Sequence, residues 1–131
     1  MKPLMVDSSY WIGLARQKRD PMSFLTAASH GRDLAICGVV RCEVARGIRQ
    51  KSALNRLQKF WDVMVYVPTD NALWNEVETL LWRLDRSGVQ IPLSDAVIAC
   101  CAQRIGAAVL TFDQHFREIP GLPVISDPNV I

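Results

Sequence analysis

The feature that most constrains this chain is a series of short, uninterrupted apolar runs separated by longer segments of helical periodicity. Pro3–Val6, Leu34–Cys37, Val63–Val67 and Ala108–Thr111 show no alternation of polar and apolar residues. A strand with one face in water alternates, whereas one buried on both faces reads as a continuous apolar run. Such strands, joined by helices, predict a parallel sheet covered on both sides, a three-layer α/β arrangement. Val124–Ile125 is a candidate fifth strand, giving four or five in all.

The connecting segments carry the matching helical signals. Helices are expected over Tyr10–Gln17, over Asp20–His30 with Pro21 at the first helical position, and over Val39–Ile48. Val40, Val44 and Ile48 recur every four residues, so the last of these has one apolar stripe. Further helices are expected over Ala53–Trp61, Asn71–Arg86 and Asp95–Arg104, with Ser94 as the cap of the last and Gly88 and Gly106 as terminators. The sequence contains no internal repeat, low-complexity tract or linker, so residues 1–131 are expected to form one domain.

Composition mainly excludes. Half the residues are hydrophobic, which argues against disorder, and a net charge of +2 is too small to identify a nucleic-acid partner by itself. The cysteines, Cys37, Cys42, Cys100 and Cys101, form no C-x-x-C pair, and the two histidines, His30 and His115, lie far apart in sequence, so a zinc site is not expected. All four cysteines fall in apolar surroundings and are read as buried small hydrophobes. The first apolar run is cut short by Asp7, and no window reaches the roughly 20 apolar residues of a membrane span. A soluble protein of the reducing cytoplasm is expected.

Four acids stand out by position. Asp7 ends the first strand and Asp113 follows the fourth by two residues, so both belong at the carboxyl edge of the sheet, where ligands bind in open parallel folds. Asp95 opens a helix, whose positive end favours its ionised form. Glu43 flanks the Val40–Val44 stripe of its helix and is turned partly inward. Singly, Asp7 reads equally well as a helix cap, Asp95 as dipole decoration, Glu43 as a solvated helix residue and Asp113 as a turn residue. Together they form an acidic cluster with no basic residue at the strand ends to offset it, and a divalent cation would supply that charge.

At these residues the sequence resembles the PIN-domain nucleases, and within them the VapC toxins of toxin–antitoxin systems. Val6-Asp7-Ser8-Ser9 resembles the family's opening strand and acid, and Glu43-Val44-Ala45-Arg46-Gly47 its Glu-apolar-x-x-Gly segment. Asp95-Ala96-Val97-Ile98-Ala99 is similar to its Asp-x-x-Ile-Ala helix start, and Leu110-Thr111-Phe112-Asp113-Gln114-His115-Phe116 to its Thr-x-Asp-x-x-Phe strand end. His115 departs from a common variant of the pattern, in which a further acid stands there. The resemblance implies a PIN-like α/β/α fold, Mg²⁺ or Mn²⁺ dependence and endonucleolytic cleavage of structured RNA such as tRNA. It also implies homodimerisation and neutralisation by a cognate antitoxin.

Carboxylate oxygens are hard ligands suited to Mg²⁺ or Mn²⁺. Such a cation lowers the pKa of a water it holds and stabilises charge on phosphoryl oxygens. Asp7 and Asp95 are expected to ligate directly and Glu43 and Asp113 to complete the set, in part through water. The hydroxyls of Ser8 and Thr111 are candidates for orienting those ligands, though a plain cap or strand role fits each as well. For RNA, the basic run from Arg41 through Arg46 and Arg49 to Lys59 is the candidate surface, since phosphate contacts dominate affinity; a solvated helix face accounts for it equally. Trp82 points away from the Leu73/Val77/Leu84 stripe of its helix, either to a protein partner or under a neighbouring helix.

Other classes fit less well. A phosphoacceptor α/β domain also gathers acids at strand ends but wants a Lys after a later strand, where this chain has Asp113. A serine hydrolase would need a G-x-S-x-G turn, which is absent. A catalytically inactive PIN-like module that binds RNA or protein is the remaining alternative, and it has little use for four converging acids.

Overall fold

In the computed structural model, residues 1–129 are described. The strands are β1 (Leu4–Val6), β2 (Leu34–Cys37), β3 (Val65–Val67), β4 (Ala108–Leu110) and β5 (Val124–Ile125). They form one sheet in the order β3-β2-β1-β4-β5, every neighbouring pair parallel. Among the described residues six helices flank it: α1 (Ser8–Arg16), α2 (Pro21–Ala28), α3 (Gly38–Ala45), α4 (Lys51–Asp62), α5 (Asn71–Arg86) and α6 (Leu93–Arg104), with a 3₁₀ turn at Gln114–Glu118. The expected α/β/α architecture is therefore present, with five strands.

The strand order makes the layers. From β1 the chain steps outward through β2 to β3, then returns past them to β4 on the other side of β1. Right-handed crossovers in opposite directions place their helices on opposite faces. The reversal falls between β1 and β4, whose pairing runs Leu4–Ala108, Met5–Val109 and Val6–Leu110. Both strands are buried along their whole length, which is why their sequences are apolar without alternation. Asp7 extends the ladder by one bond, its N–H donating to the Leu110 carbonyl at 2.9 Å.

α6 is the most deeply enclosed helix. Every residue from Asp95 to Ala102 is buried, and small side chains (Ala96, Ala99, Cys100, Cys101, Ala102) allow close approach to the sheet and to α5. A helix apolar on all sides belongs in a core. α5 shows the expected stripe: Leu73, Val77 and Leu84 are buried, while Trp82 is exposed on the other side with Arg86 at 4.6 Å from its ring. Among the described residues, no helix is long and apolar enough to cross a membrane.

Several boundaries shift. α4 begins at Lys51 and β3 at Val65, and the chain between α2 and β2 turns through His30 and Gly31, both at positive φ. α3 stops at Ala45, and Ile48 is carried on a turn. Ser94 is not the cap of α6: Pro92 is, so Ser94 and Asp95 lie inside the first turn. One cysteine expectation fails as well. Cys42 is exposed, because α3 buries Val40 and Val44 and turns the intervening residue outward.

Candidate active site

All four acids line one open cavity of about 530 Å³ at the carboxyl ends of β1 and β4. The place is the one that topology dictates, since loops on either side of a strand-order reversal diverge and leave a crevice. β1 delivers Asp7 and β4 delivers Asp113. Glu43 reaches in from α3, and Asp95 from the first turn of α6.

Asp7 is buried, and hydroxyls hold it. Ser9 Oγ donates to its Oδ2 at 2.7 Å and Thr111 Oγ1 to the same oxygen at 2.8 Å, while the Ser9 N–H reaches it at 3.3 Å as a helix cap. Each hydroxyl also accepts a backbone N–H, Ser9 Oγ from Phe112 at 3.2 Å and Thr111 Oγ1 from Asp113 at 2.9 Å. Accepting those bonds leaves both protons free to point at Asp7. The 3.1 Å contact between the two oxygens is then a shared geometry and not a further bond. The two hydroxyls thus lock the segment after β4, and with it Asp113, to the segment after β1.

Ser8 plays a similar part for Glu43. Its Oγ lies 2.9 Å from Glu43 Oε1 and 3.3 Å from Asp7 Oδ1, and its single proton is donated along the shorter bond. Thr111 falls just past the observed end of β4, so its role here is in the loop and not in the strand.

Asp95 is the anomaly. It is buried, and among the described residues its Oδ2 accepts no hydrogen bond. His115 Nδ1 stands 3.3 Å from that oxygen and 3.1 Å from Asp113 Oδ1, a contact whose geometry makes a good hydrogen bond to neither. Burial, together with the charges of Asp113 and Asp7, pushes the Asp95 carboxyl up to about 6, and His115 offsets only part of this. The ligand atoms of Asp95, Asp113 and His115 lie within 4.8 Å of one another. Asp7 and Glu43 share the cavity but stand outside that tight group.

A divalent cation fits these residues. The carboxylates supply hard oxygen donors, and Asp95 Oδ2 is a buried acceptor with no hydrogen bond among the described residues and only the His115 contact beside it, which is costly unless a cation or donor completes it.

The cavity also holds residues that the sequence reading passed over. Arg16, at the end of α1, lines it, so a basic residue does stand beside the acids after all. Helical spacing from Ile12 to Arg16 was the available signal. Ser9 and His115 were likewise missed as site members. The basic run lies apart from the acids: Arg41 bonds Asp62 at 3.0 Å and lies over the rings of Trp61 and Tyr66. None of Arg41, Arg46 and Arg49 lines the acid cavity.

A crevice of acids at the β1/β4 reversal of a 3-2-1-4-5 parallel sheet agrees with the family relationship: the PIN domain model matches residues 4–122, and the chain belongs to that family. Among its relatives is ribonuclease VapC4 of Mycobacterium tuberculosis, 26% identical over 124 residues that cover 93% of this chain and 95% of that protein. Among solved structures, the DNA-bound VapBC of Salmonella typhimurium aligns with a TM-score of 0.75 at 21% identity, covering 95% of this chain and 98% of that one. VapBC2 of Rickettsia felis, bound to a promoter DNA fragment, aligns with a TM-score of 0.76 at 19% identity, covering 94% and 97%. At such identities the structural likeness speaks for the fold.

Proposed function

We propose that this protein is an endoribonuclease dependent on Mg²⁺ or Mn²⁺, the toxin of a toxin–antitoxin pair, with Asp7, Glu43, Asp95 and Asp113 as its catalytic carboxylates. The observation that carries the reading is the buried Asp95 Oδ2, without a hydrogen bond among the described residues, within a cavity of four acids. A module that only bound RNA would gain nothing from this repulsion. The ribonuclease name of the mycobacterial relative supports the activity, and the VapBC assemblies support an antitoxin partner. Structured RNA such as tRNA is the substrate class to which the family resemblance points.

Asp95 and Asp113 would hold the cation, with Asp7 beside them and Glu43 acting through water; His115 offers a nitrogen donor at the same point. When bound, such a cation activates water for attack on phosphorus and stabilises charge on the phosphoryl oxygens. Ser9 and Thr111 orient Asp7 by donating to one of its oxygens, leaving Oδ1 facing Ser8 and the cavity. Arg16 supplies positive charge on the cavity wall for the RNA backbone. The exposed Trp82 on α5 is the surface we assign to a protein contact, either self-association or antitoxin.

The test is cleavage of total cellular RNA with Mg²⁺ or Mn²⁺, against EDTA and against Asp7→Asn and Asp95→Asn. Metal-dependent cleavage abolished by either substitution is expected. Cleavage that survives chelation and both variants would refute the reading.

A further inference from the structure

Beside four carboxylates, Phe112 leaves an aromatic ring open to solvent. It stands between Thr111 and Asp113 and is 42% exposed. The ring is nonetheless fixed. It stacks on Tyr10 with centroids 4.3 Å apart and planes at 19°, and the buried Tyr10 anchors its hydroxyl on the Ser126 carbonyl at 3.1 Å. The Phe112 N–H is held by Ser9 Oγ, a hydroxyl that also holds Asp7. One edge of the ring lies over Gly13 of α1, where an added Cβ would come 2.7 Å from Cε2 and 2.9 Å from Cδ2. Gly13 is therefore what lets the ring lie against the helix.

Phe112 forms the wall between two hollows. On one side is the acid cavity; on the other is a smaller one of about 340 Å³ bounded by Tyr10, Phe24 and Arg19. The aromatic ladder continues there, Phe24 at 6.4 Å from Tyr10 and the Arg19 guanidinium 5.3 Å over Phe24.

We propose that Phe112 is a stacking platform for an unpaired nucleobase next to the phosphate that is cut, an inference that rests on the ribonuclease reading above. Acids that gather a cation repel the RNA backbone around it, whereas a base face carries no net charge. Stacking therefore supplies affinity where phosphate contacts are opposed. Unstacked bases of loops and ends are recognised on aromatic faces, and a ring already packed on Tyr10 and Gly13 loses little freedom when one docks. Phe112 is thus a substrate-positioning residue that selects unpaired RNA at the cleavage point.

The test uses short single-stranded RNAs in which each nucleotide in turn is made abasic, with binding measured in an Asp95→Asn background. One abasic position is expected to weaken binding roughly 5- to 150-fold, the range for loss of a stacked base. Phe112→Leu weakens the intact RNA by a similar factor and abolishes the penalty at that position alone, while Phe112→Trp restores it. Gly13→Ala, which crowds the ring and substitutes no acid, behaves as Phe112→Leu does. Equal abasic penalties at every position with and without the ring would overturn the platform. Cleavage is followed separately with Asp95 intact: RNA cutting without the coupling overturns the platform alone, and the coupling without RNA cutting overturns the ribonuclease reading and leaves Phe112 a base-stacking ring with no cleavage point. Absence of any RNA binding overturns both.

Discussion

Asp95→Asn should make the metal-free protein more stable, although it removes a residue assigned to catalysis. In the fold, burial and the charges of Asp113 and Asp7 hold the Asp95 carboxyl at about 6, against an ordinary value of 3.8. A shift of some two units corresponds to about 3 kcal/mol by which the ionised form is disfavoured. The side chain is only 10% exposed, so solvent screening removes little of this. Losing a negative charge from the first turn of α6 costs roughly 0.3–1 kcal/mol. The neutral amide should then be worth about 2 kcal/mol at pH 8 in EDTA, a rise in Tm of about 8 °C for a domain of this size.

The pH dependence fixes the cause. Because the folded carboxyl titrates higher than the unfolded one, the folded state binds more protons between about pH 4 and pH 6, and stability falls as pH rises through that window. Below about pH 4 both states are protonated, and the advantage of Asp95→Asn should vanish. Saturating Mn²⁺ should narrow or reverse the order, since the parent protein gains more binding energy from the ion than a variant that lacks one ligand. Thermal melts of both proteins at pH 4 and pH 8, with EDTA and with Mn²⁺, give the four numbers. An advantage equal at both pH values, or none at pH 8, would refute the electrostatic account.

Four further substitutions test the same geometry. Thr111→Val keeps the shape of the side chain but strips Asp7 of one donor and leaves the Asp113 N–H without an acceptor; urea denaturation should show a loss of about 1–3 kcal/mol, and RNA cleavage should slow by about 10–100-fold. Arg41→Ala should cost about 1 kcal/mol or less by loss of Asp62 and of packing on Trp61, leaving cleavage per folded molecule unchanged, whereas Arg16→Ala should weaken RNA binding and reduce the slope of log affinity against log salt by about one. His115→Asp replaces a nitrogen donor beside Asp95 and Asp113 with a hard oxygen, so calorimetric titrations should show Mg²⁺ binding strengthened relative to Mn²⁺.

Much of the scaffold was legible because burial writes directly into sequence. The strands β1, β2 and β4 lie between layers and are apolar throughout, and α5 has one dry face, so its stripe emerges at the helical period. The acids were legible for a related reason: Asp7, Asp95 and Asp113 interrupt apolar context at element ends, where a charge needs a purpose. What was hidden depends on distances across the chain. Ser9 lies 102 residues from Thr111, and nothing local tells which of two adjacent serines meets Asp7 and which turns to Glu43. His115 lies beyond Asp113 by only two residues, yet its approach to Asp95 depends on the 3₁₀ turn that follows. The basic run shows another limit: a count of charges says nothing of partners, and Arg41 has one in Asp62.

The arrangement of hydroxyls and acids divides the cavity into a rigid part and a reactive part. Asp7 takes three hydrogen bonds to Oδ2 and is fixed before any ligand arrives. Asp95 takes none at Oδ2 and is held only by the walls of α6 and an imperfect contact with His115. Were both acids saturated with donors, the fold would be more stable and the cavity would have little pull on a cation. Were neither held, the ligands would have to be ordered at each binding event. The hydroxyls also tie Phe112 to Asp7 through Ser9. On our reading, then, the residue that would anchor the cation site and the ring that would position the RNA are set by the same short segment after β1.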